Sequence, residues 1–384
     1  MDTPIPVDSK LPDVGLSIFA VMTRLALEHG AVNLSQGFPD FACDPELVDA
    51  VHRHMRAGEN QYAPMPGVLA LREALAAKIH RLYGARYDPA TEITVTSGAT
   101  EALFDIISAL VRPGDEVILF EPCYDSYVPV VRLNGGTPRF VTLRAPDYRI
   151  DWSEVRRLLS PRTRLLIINS PHNPTGSILG ADDLRALAAA LEGSRVVVLS
   201  DEVYEHIVFD GARHESLARH PALRSRTCVV SSFGKTYHTT GWKVGYIAAP
   251  QALTAEIQRV HQFVTFATNT PAQHAYAEFT RTRPHYDDLA VFYREKRDRF
   301  LELLDGSRFI PIPSRGTYFQ LLDYSAISDE GDAAFAMRLL KEHGVASIPT
   351  SAFLYDSDAP RVLRFCFAKK DETLEAAAER LRRI

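Results

Sequence analysis

The sequence predicts an α/β fold, in which a large domain holds a mostly parallel sheet covered by helices and a smaller α+β domain completes the chain. From residue 92 onward, short apolar runs rich in β-branched residues alternate with helical segments, which is typical of a parallel sheet covered on both faces. Beyond about residue 280 this alternation ends, and a stretch broken by proline and glycine precedes a helix, a strand and a closing helix. We therefore predict an N-terminal arm that joins the small domain (1–45), a large domain (46–280) and a small C-terminal domain (281–384).

The elements are predicted in order along the chain. Helices are expected over residues 17–30, 45–57, 68–82 and 101–111. Strands are expected over residues 93–96, 116–120, 165–169, 195–199, 228–231 and 244–249. In the last third, residues 260–271 lead into a long helical stretch up to residue 304, followed by a helix over 332–344, a strand over 362–368 and a helix over 372–381.

Composition and charge exclude several classes of protein. The 384 residues are 46% hydrophobic and 24% charged, which is ordinary for a globular protein with a large core. A net charge of −5 argues against a nucleic-acid surface. No apolar stretch approaches about 18 residues and no signal-peptide core is present, so no membrane span is expected. The four cysteines form no C-x-x-C pair, which favours reduced thiols in a cytoplasmic protein, and no metal site is predicted.

Polar residues follow directly after the strands of the predicted sheet. Ligands in such sheets bind outside the carboxyl ends of the strands, so these residues are expected to share one site. They are Tyr124, Asn173, Asp201, Tyr204 and Lys235. Read singly, three of them have a plainer alternative: core packing for Tyr124, a proline turn for Asn173, and a helix-start carboxylate for Asp201.

Lys235 follows the apolar run 228–230 in a loop rich in glycine, serine and threonine. Desolvation beside a buried strand lowers the pKa of a lysine, and a neutral amine forms a Schiff base with an aldehyde. The alternative is a solvated loop charge, which is the usual state of a lysine.

Two further places in the sequence, a helix start and an arginine, indicate anion binding. Gly98, Ala99 and Thr100 open a helix, where backbone N–H groups attract anions, although an ordinary N-cap by Ser97 or Thr100 is the alternative. Arg364 lies in a nearly apolar strand with no acidic residue within four positions. A buried arginine needs an anionic partner, which is either a substrate carboxylate or a distant structural acid.

Taken together, these segments resemble the class I aminotransferases of fold type I, enzymes that use pyridoxal 5'-phosphate (PLP), over essentially the whole chain. The nearest likeness is to the methionine aminotransferase branch, beside the kynurenine and glutamine aminotransferases. The likeness is carried by NLSQGFPDF, NQYAPMPG, SPHNPTG, SDEVYEH, SSFGKTYHTTGWKVGY, NTPAQ, GTYF and LRFCFAKK.

The resemblance implies a role for each residue around the cofactor. Lys235 holds the PLP aldehyde, Asp201 keeps the pyridine nitrogen protonated, Asn173 and Tyr204 hold the phenolate oxygen, and Tyr124 stacks on the ring. The residues implied for the phosphate are Gly98, Ala99, Thr100, Ser232, Lys243 and, from a partner chain, Tyr62. The family more often has arginine in place of Lys243, and lysine lacks the bidentate fork of arginine. The alternative for Tyr62 is that its ring packs on its own domain and does not reach a partner chain.

For the substrate, the resemblance implies that Arg364 binds the carboxylate, with Asn173 and Gly37 beside it. The alternative for Gly37 is a simple turn before Pro39 without a role in binding. Phe19 and Tyr124 contribute to the substrate pocket. Loop 263–269 and residues 18 and 19 contain no lysine or arginine. A neutral side chain is therefore expected in the substrate, with aspartate a poor donor.

The function implied is a PLP-dependent aminotransferase, a homodimer with shared active sites that passes an amino group from methionine, or an aromatic or other neutral amino acid, to a 2-oxo acid by a ping-pong mechanism. One alternative is a kynurenine or glutamine aminotransferase with cysteine-conjugate β-lyase activity. A non-catalytic PLP-binding sensor is disfavoured, since the chain has no basic segment to spare for DNA.

Overall fold

The computed structural model describes residues 7–282 and 286–384. The strands are β1 (Val32–Asn33), β2 (Ile93–Thr96), β3 (Glu116–Glu121), β4 (Thr137–Thr142), β5 (Thr163–Asn169), β6 (Val197–Asp201), β7 (Thr227–Ser232), β8 (Gly245–Ala248), β9 (Ile310–Pro311), β10 (Phe319–Asp323), β11 (Val345–Ala346), β12 (Ile348–Pro349) and β13 (Val362–Cys366). The α-helices are α1 (Ile18–Glu28), α2 (Pro45–Arg56), α3 (Leu69–Tyr83), α4 (Gly98–Leu110), α5 (Tyr127–Leu133), α6 (Trp152–Leu158), α7 (Ala181–Ala190), α8 (Pro221–Arg224), α9 (Phe233–Thr236), α10 (Gln251–Val264), α11 (Thr270–Thr282), α12 (Tyr286–Leu303), α13 (Asp332–His343) and α14 (Asp371–Leu381).

The central sheet has seven strands in the order β2-β8-β7-β6-β5-β3-β4. Only β8 runs against its neighbours, pairing antiparallel with β2 and β7, and the remaining pairs are parallel. The predicted mostly parallel α/β sheet is therefore confirmed. The carboxyl ends of β5, β6 and β7 lie side by side, which brings together the polar residues that follow them.

Both faces of this sheet are buried under helices. Along β3, Val117 and Leu119 belong to one apolar cluster, whereas Ile118 and Phe120 belong to another, because side chains of a strand alternate between the faces. Helix α4 contributes to the first cluster and α7 to the second. The sheet is thus a rigid support with its ligand-binding edge left open.

A second, four-stranded antiparallel sheet has the order β12-β13-β10-β9. Its core also includes helix α1 of the N-terminal arm, through Met22 and Leu25 packed with Phe365 and other residues of the C-terminal part. Strand β1 of the arm pairs with β11. The division of the chain at residues 45 and 280 stays a prediction.

The structure differs from the predicted elements in several places. Helix α4 begins at Gly98, three residues before the predicted start, so the small-residue turn forms its first turn. The stretch predicted to lead into the long helix is not helical throughout: α10 ends at Val264, before Phe266, whose left-handed φ of 68° breaks the helix. Strand β4 was not predicted, since it is an edge strand with partly exposed residues. In the described part of the chain, no helix combines the length and apolarity needed to cross a membrane.

A buried polar network supports the segment that follows β6. The carboxylate of Glu205 accepts hydrogen bonds from Lys78 at 2.8 Å, Ser231 at 2.6 Å and Tyr246 at 3.2 Å, and from Tyr83. Burial alone raises the pKa of Glu205, but Lys78 and the hydrogen bonds outweigh it and hold this pKa well below its usual value. The network fixes the backbone that carries two candidate site residues, Asp201 and Tyr204.

Removing the cation of this network should destabilise the fold. Lys78→Ala leaves the Glu205 carboxylate buried without its countercharge and should lower the free energy of unfolding by about 3–5 kcal/mol. Urea unfolding of the ligand-free protein at neutral pH measures this loss, with the exposed Lys341→Ala as control. Because the pKa of Glu205 is depressed, its contribution is present above the unfolded pKa and disappears as the pH falls. A loss below about 1 kcal/mol for Lys78→Ala would contradict this reading.

Candidate active site

A cavity of about 190 Å³ opens at the carboxyl ends of β6 and β7. The structure brings most of the predicted site residues together in its lining. These are Gly98, Ala99, Thr100, Tyr124, Asn173, Asp201, Tyr204, Ser232, Lys235 and Lys243. Of the other predicted residues, Gly37, Phe19 and Arg364 lie beside the cavity through contacts described below, and Tyr62 lies away from it.

Asp201 is the last residue of β6 and is buried. Its carboxylate accepts hydrogen bonds from the Tyr127 hydroxyl at 2.7 Å and from the Val203 N–H at 3.3 Å. Burial raises the pKa of Asp201 to about 6, although both donors oppose the rise. The Val203 bond lies at a turn and no helix begins directly after β6, so the helix-start alternative is not found, and the same carboxylate borders the cavity. Tyr127 was not predicted, because nothing local marks a partner so distant in sequence.

Lys235 lies in short helix α9 and borders the same cavity as Asp201. Its Nζ donates hydrogen bonds to the Tyr318 hydroxyl at 2.9 Å and to the Gly37 carbonyl at 3.2 Å. Desolvation lowers the pKa of Lys235 to about 8. The lysine is therefore not a freely solvated loop charge, and a substantial fraction of its amine is neutral near physiological pH.

Gly37 and Tyr318 form one unit around this amine. The Tyr318 hydroxyl also donates to the Gly37 carbonyl. A Cβ at Gly37 would lie 2.7 Å from the ring of Phe319, so only glycine fits at this position. The GTYF segment contributed to the family resemblance, but sequence reasoning gave Tyr318 no role, since a tyrosine after a glycine turn is common in cores.

The start of α4 forms an anion cradle. Gly98 has a φ of 73°, and a Cβ there would lie 3.3 Å from Lys243 Nζ. Lys243 Nζ in turn donates to the Thr100 hydroxyl at 3.3 Å. Ser97 makes no side-chain capping bond to the described residues, which disfavours the ordinary N-cap. Free backbone N–H groups beside an ammonium group are well suited to a tetrahedral anion such as phosphate.

Asn173 connects the floor of the cavity to Arg364. Its backbone N–H donates to Asn169 Oδ1 at 2.7 Å, and its Oδ1 accepts from Arg364 Nη1 at 2.8 Å. Asn169 also donates to the Asp201 carbonyl at 2.8 Å. The side chain of Asn173 is thus directed to the site, in contrast to the local turn considered from sequence. Tyr204 packs edge-on against Tyr318, with ring centroids 5.1 Å apart.

Arg364 is fully buried, and its guanidinium lies 3.9 Å from the ring centre of Phe319 and 5.1 Å from those of Phe19 and Phe353. Nη2 donates to the Ser35 carbonyl at 2.9 Å, and Nε has no partner among the described residues. No carboxylate in the described part of the chain forms an ion pair with it, so the structural ion pair considered from sequence is not found. Burial lowers the pKa of Arg364 to about 10, which leaves it charged at neutral pH.

Tyr62 is 84% exposed. Its ring packs edge-on against that of Phe266, with centroids 5.5 Å apart, and is not part of the cavity lining of its own chain. Packing within its own domain, the alternative raised from sequence, is therefore slight.

The residues present fit a flat aromatic aldehyde that carries a phosphate. The cradle at Gly98, Thr100 and Lys243 suits the phosphate, the buried Asp201 suits a protonated ring nitrogen, and Lys235 suits the aldehyde. The unpartnered Nε of Arg364 suits a second ligand with a carboxylate.

Removing the Tyr318 hydroxyl should change the titration of Lys235. Because Tyr318 accepts a hydrogen bond from the ammonium form, Tyr318→Phe should lower the pKa of Lys235 by roughly one unit. Only the neutral amine is acetylated, so the pH at which Lys235 becomes reactive should move down. Peptide mass spectrometry of ligand-free protein acetylated at several pH values measures this. Tyr293→Phe, beside Tyr318 but not bonded to Lys235, is the control. An unchanged profile in Tyr318→Phe would refute the contact.

Comparison with known proteins identifies the family. The model of aminotransferase class I and II matches residues 30–381. A methionine aminotransferase of Escherichia coli (strain K12) is 53% identical over 384 residues, covering 100% of both chains. A probable N-succinyldiaminopimelate aminotransferase of Mycobacterium tuberculosis is 41% identical, covering 97% of each. A kynurenine–oxoglutarate transaminase of Dictyostelium discoideum is 35% identical, covering 96% of this chain and 94% of the relative.

Solved structures agree with the sequence matches. The crystal structure of YbdL from Escherichia coli, described with a methionine aminotransferase function, superimposes with a TM-score of 0.97 at 53% identity. The superposition covers 99% of this chain and 100% of the YbdL chain. The chain therefore belongs to the class I and II aminotransferases, and its fold is that of fold type I.

Proposed function

We propose that this aminotransferase uses PLP and takes its amino group from methionine, or from another neutral or aromatic amino acid, to pass it to a 2-oxo acid. The observation that carries the proposal is the surroundings of Arg364, a buried cation with an unpartnered Nε inside a ring of Phe19, Phe319 and Phe353. Such a pocket accepts one carboxylate and an apolar side chain. The higher identity to the methionine aminotransferase than to the kynurenine transaminase supports the same preference.

The residues of the cavity would hold PLP in the way that the family resemblance implies. Asp201 would face the ring nitrogen, Asn173 and Tyr204 would hold the phenolate oxygen, and Tyr124 would cover the ring face. The phosphate would be held by Gly98, Ala99, Thr100, Ser232 and Lys243. When bound, PLP supplies an electron sink that stabilises negative charge on the α carbon of the substrate.

Lys235 is the group that moves the proton. Its pKa of about 8 leaves the amine close to the balance point at physiological pH, where a general base and acid works best. With substrate and cofactor bound, its Nζ would take up the proton of the substrate's α carbon and return it later in the reaction. Tyr318 and Gly37 hold the amine in place between these steps through their hydrogen bonds to Nζ. Asp201, with a pKa of about 6, is ionised at the same pH and can stabilise a protonated ring nitrogen.

Arg364 orients the substrate for this transfer. Its free Nε and the second hydrogens of its guanidinium offer a fork for the α-carboxylate, and Asn173 is already bonded to it. The aromatic rings exclude water around the pair, which strengthens it. The side chain of the substrate then points to apolar surface that includes Phe19.

The exposed Tyr62 supports a homodimer with shared active sites. A tyrosine that does not reach the cavity of its own chain is free to complete the phosphate site of a partner, which makes a two-fold dimer the working unit. Neighbouring Phe263 and Phe266 are also exposed apolar residues that a partner would cover. We place the protein in the cytoplasm, in keeping with its four free cysteines, and with small molecules rather than nucleic acid or membrane as its partners.

Competition between amino donors tests the proposal. Methionine, followed by Phe, Tyr, Leu, Gln or kynurenine, should exceed aspartate by at least about tenfold in kcat/KM, or roughly 1.4 kcal/mol, since an uncompensated second carboxylate is costly in an apolar pocket. Phe19→Ala should lower the kcat/KM for methionine, whereas Leu27→Ala, which is on the same helix but 80% exposed, should not. A panel of donors with several 2-oxo acids, read as new amino acid, gives these values.

An aspartate-to-methionine ratio of kcat/KM above one would contradict the proposed substrate class. Release of pyruvate and ammonia from cysteine conjugates as the main reaction would instead favour the β-lyase alternative.

A further inference from the structure

A buried group of three titratable side chains lies behind the phosphate cradle. Glu101 and Asp105 are one turn apart on α4, and His261 faces them from α10. Their side chains are 6%, 0% and 0% exposed, respectively. None of them lines the cavity, so the proposed reaction leaves them without a role.

The imidazole of His261 is bonded on both sides. Nδ1 lies 2.8 Å from Glu101 Oε1, and Nε2 lies 3.0 Å from the Met65 carbonyl oxygen. A carbonyl oxygen only accepts, so Nε2 carries a hydrogen, and the carboxylate makes Nδ1 a donor as well. Burial lowers the pKa of His261, but the negative charges of Asp105 and Glu101 and the hydrogen bond to Glu101 outweigh it and raise this pKa to about 9. The ring is therefore an imidazolium that joins two backbone segments.

The two backbone segments are the start of α4 at Ser97 and the loop that contains Met65, and they belong to different parts of the active site. The other oxygen of Glu101, Oε2, accepts the N–H of Ser97, the residue just before the cradle. Met65 lies in the loop 60–67, which carries Tyr62. The backbone of His261 contributes to the same region, since its carbonyl accepts the N–H groups of Thr265 at 3.1 Å and Phe266 at 3.0 Å. Phe266 is the residue that packs against the Tyr62 ring.

We propose that His261 is a positioning residue that couples the phosphate cradle of one active site to the Tyr62 loop, and through that loop to the active site of the partner chain. The proposal rests on the proposed function, with PLP in the cradle and Tyr62 reaching a second copy of the chain. A shift of the cradle is transmitted to the loop through the Ser97–Glu101–His261–Met65 chain of hydrogen bonds. Each site thereby senses whether the other holds its phosphate.

Asp105 has a different place in this group. It lies 3.5 Å from His261 Nδ1, and its oxygens have no hydrogen-bond partner among the described residues. It contributes charge but is not part of the chain of hydrogen bonds. The three side chains also bring oxygen and nitrogen atoms within 4.8 Å of one another, a spacing that a metal ion would accept. The 2.8 Å separation of Nδ1 and Oε1 is a normal hydrogen-bond distance, so a proton accounts for the contact without a metal.

A double-mutant cycle on cofactor affinity tests the coupling. The Kd for PLP is measured by titrating the cofactor-free enzyme and following absorbance. His261→Ala and Tyr62→Phe should each weaken PLP binding, His261→Ala by about tenfold or more, corresponding to at least about 1.4 kcal/mol. In the double mutant, the loss caused by Tyr62→Phe should nearly vanish, because the loop is no longer held. His29→Ala, at an exposed position directly after α1, is the control and should leave the Kd unchanged.

Glu101→Gln, which preserves side-chain size, should weaken PLP binding as His261→Ala does. It replaces His261→Ala in the cycle if that variant does not fold. Asp105→Asn should keep the Kd within about threefold, since the chain of hydrogen bonds remains. Additive losses, or a lower Tm with an unchanged Kd, would show a merely structural role and overturn the proposal. A Kd that rises on treatment of the wild type with EDTA would overturn it in favour of a metal. Failure of the wild type itself to bind PLP would instead overturn the proposed function.

Discussion

The candidate site depends on removing one carboxylate and one amine from water at the open edge of the sheet. Desolvation acts on both in the direction of the neutral form, raising the pKa of Asp201 to about 6 and lowering that of Lys235 to about 8. The two values leave a range around neutral pH in which the carboxylate is ionised and the amine can exchange a proton. Below that range Asp201 is protonated, and above it Lys235 no longer has a proton to return.

Such groups stay in place because the sheet supports them from behind. Tyr127 and Asn169 hold the side chain and the carbonyl of Asp201. The Glu205 network secures the following segment, and the His261 group secures the start of α4. Each support is itself buried and hydrogen-bonded, so a single substitution there costs both stability and geometry.

Sequence reasoning reached those parts of the site that local patterns encode. Apolar β-branched runs located the central strands, and the residues that follow them include Asp201, Asn173 and Lys235, which line one cavity in the structure. It missed Tyr127 and Tyr318, because both act through partners that only the folded chain brings close. Sequence reasoning also missed the break between α10 and α11. This break depends on the left-handed backbone of Phe266, and phenylalanine rarely adopts that conformation, so the sequence gives no sign of it. Edge strand β4 lacked a clear apolar signal.

The central claim is that Lys235, among all lysines of the chain, carries the reactive amine. Its most direct test is to incubate the purified protein with PLP, reduce it with borohydride and map the modified peptide by mass spectrometry. The account predicts a visible or near-ultraviolet band that is lost on reduction, with PLP attached to Lys235. Attachment to Lys243 or to another lysine, with Lys235 unmodified, would contradict it.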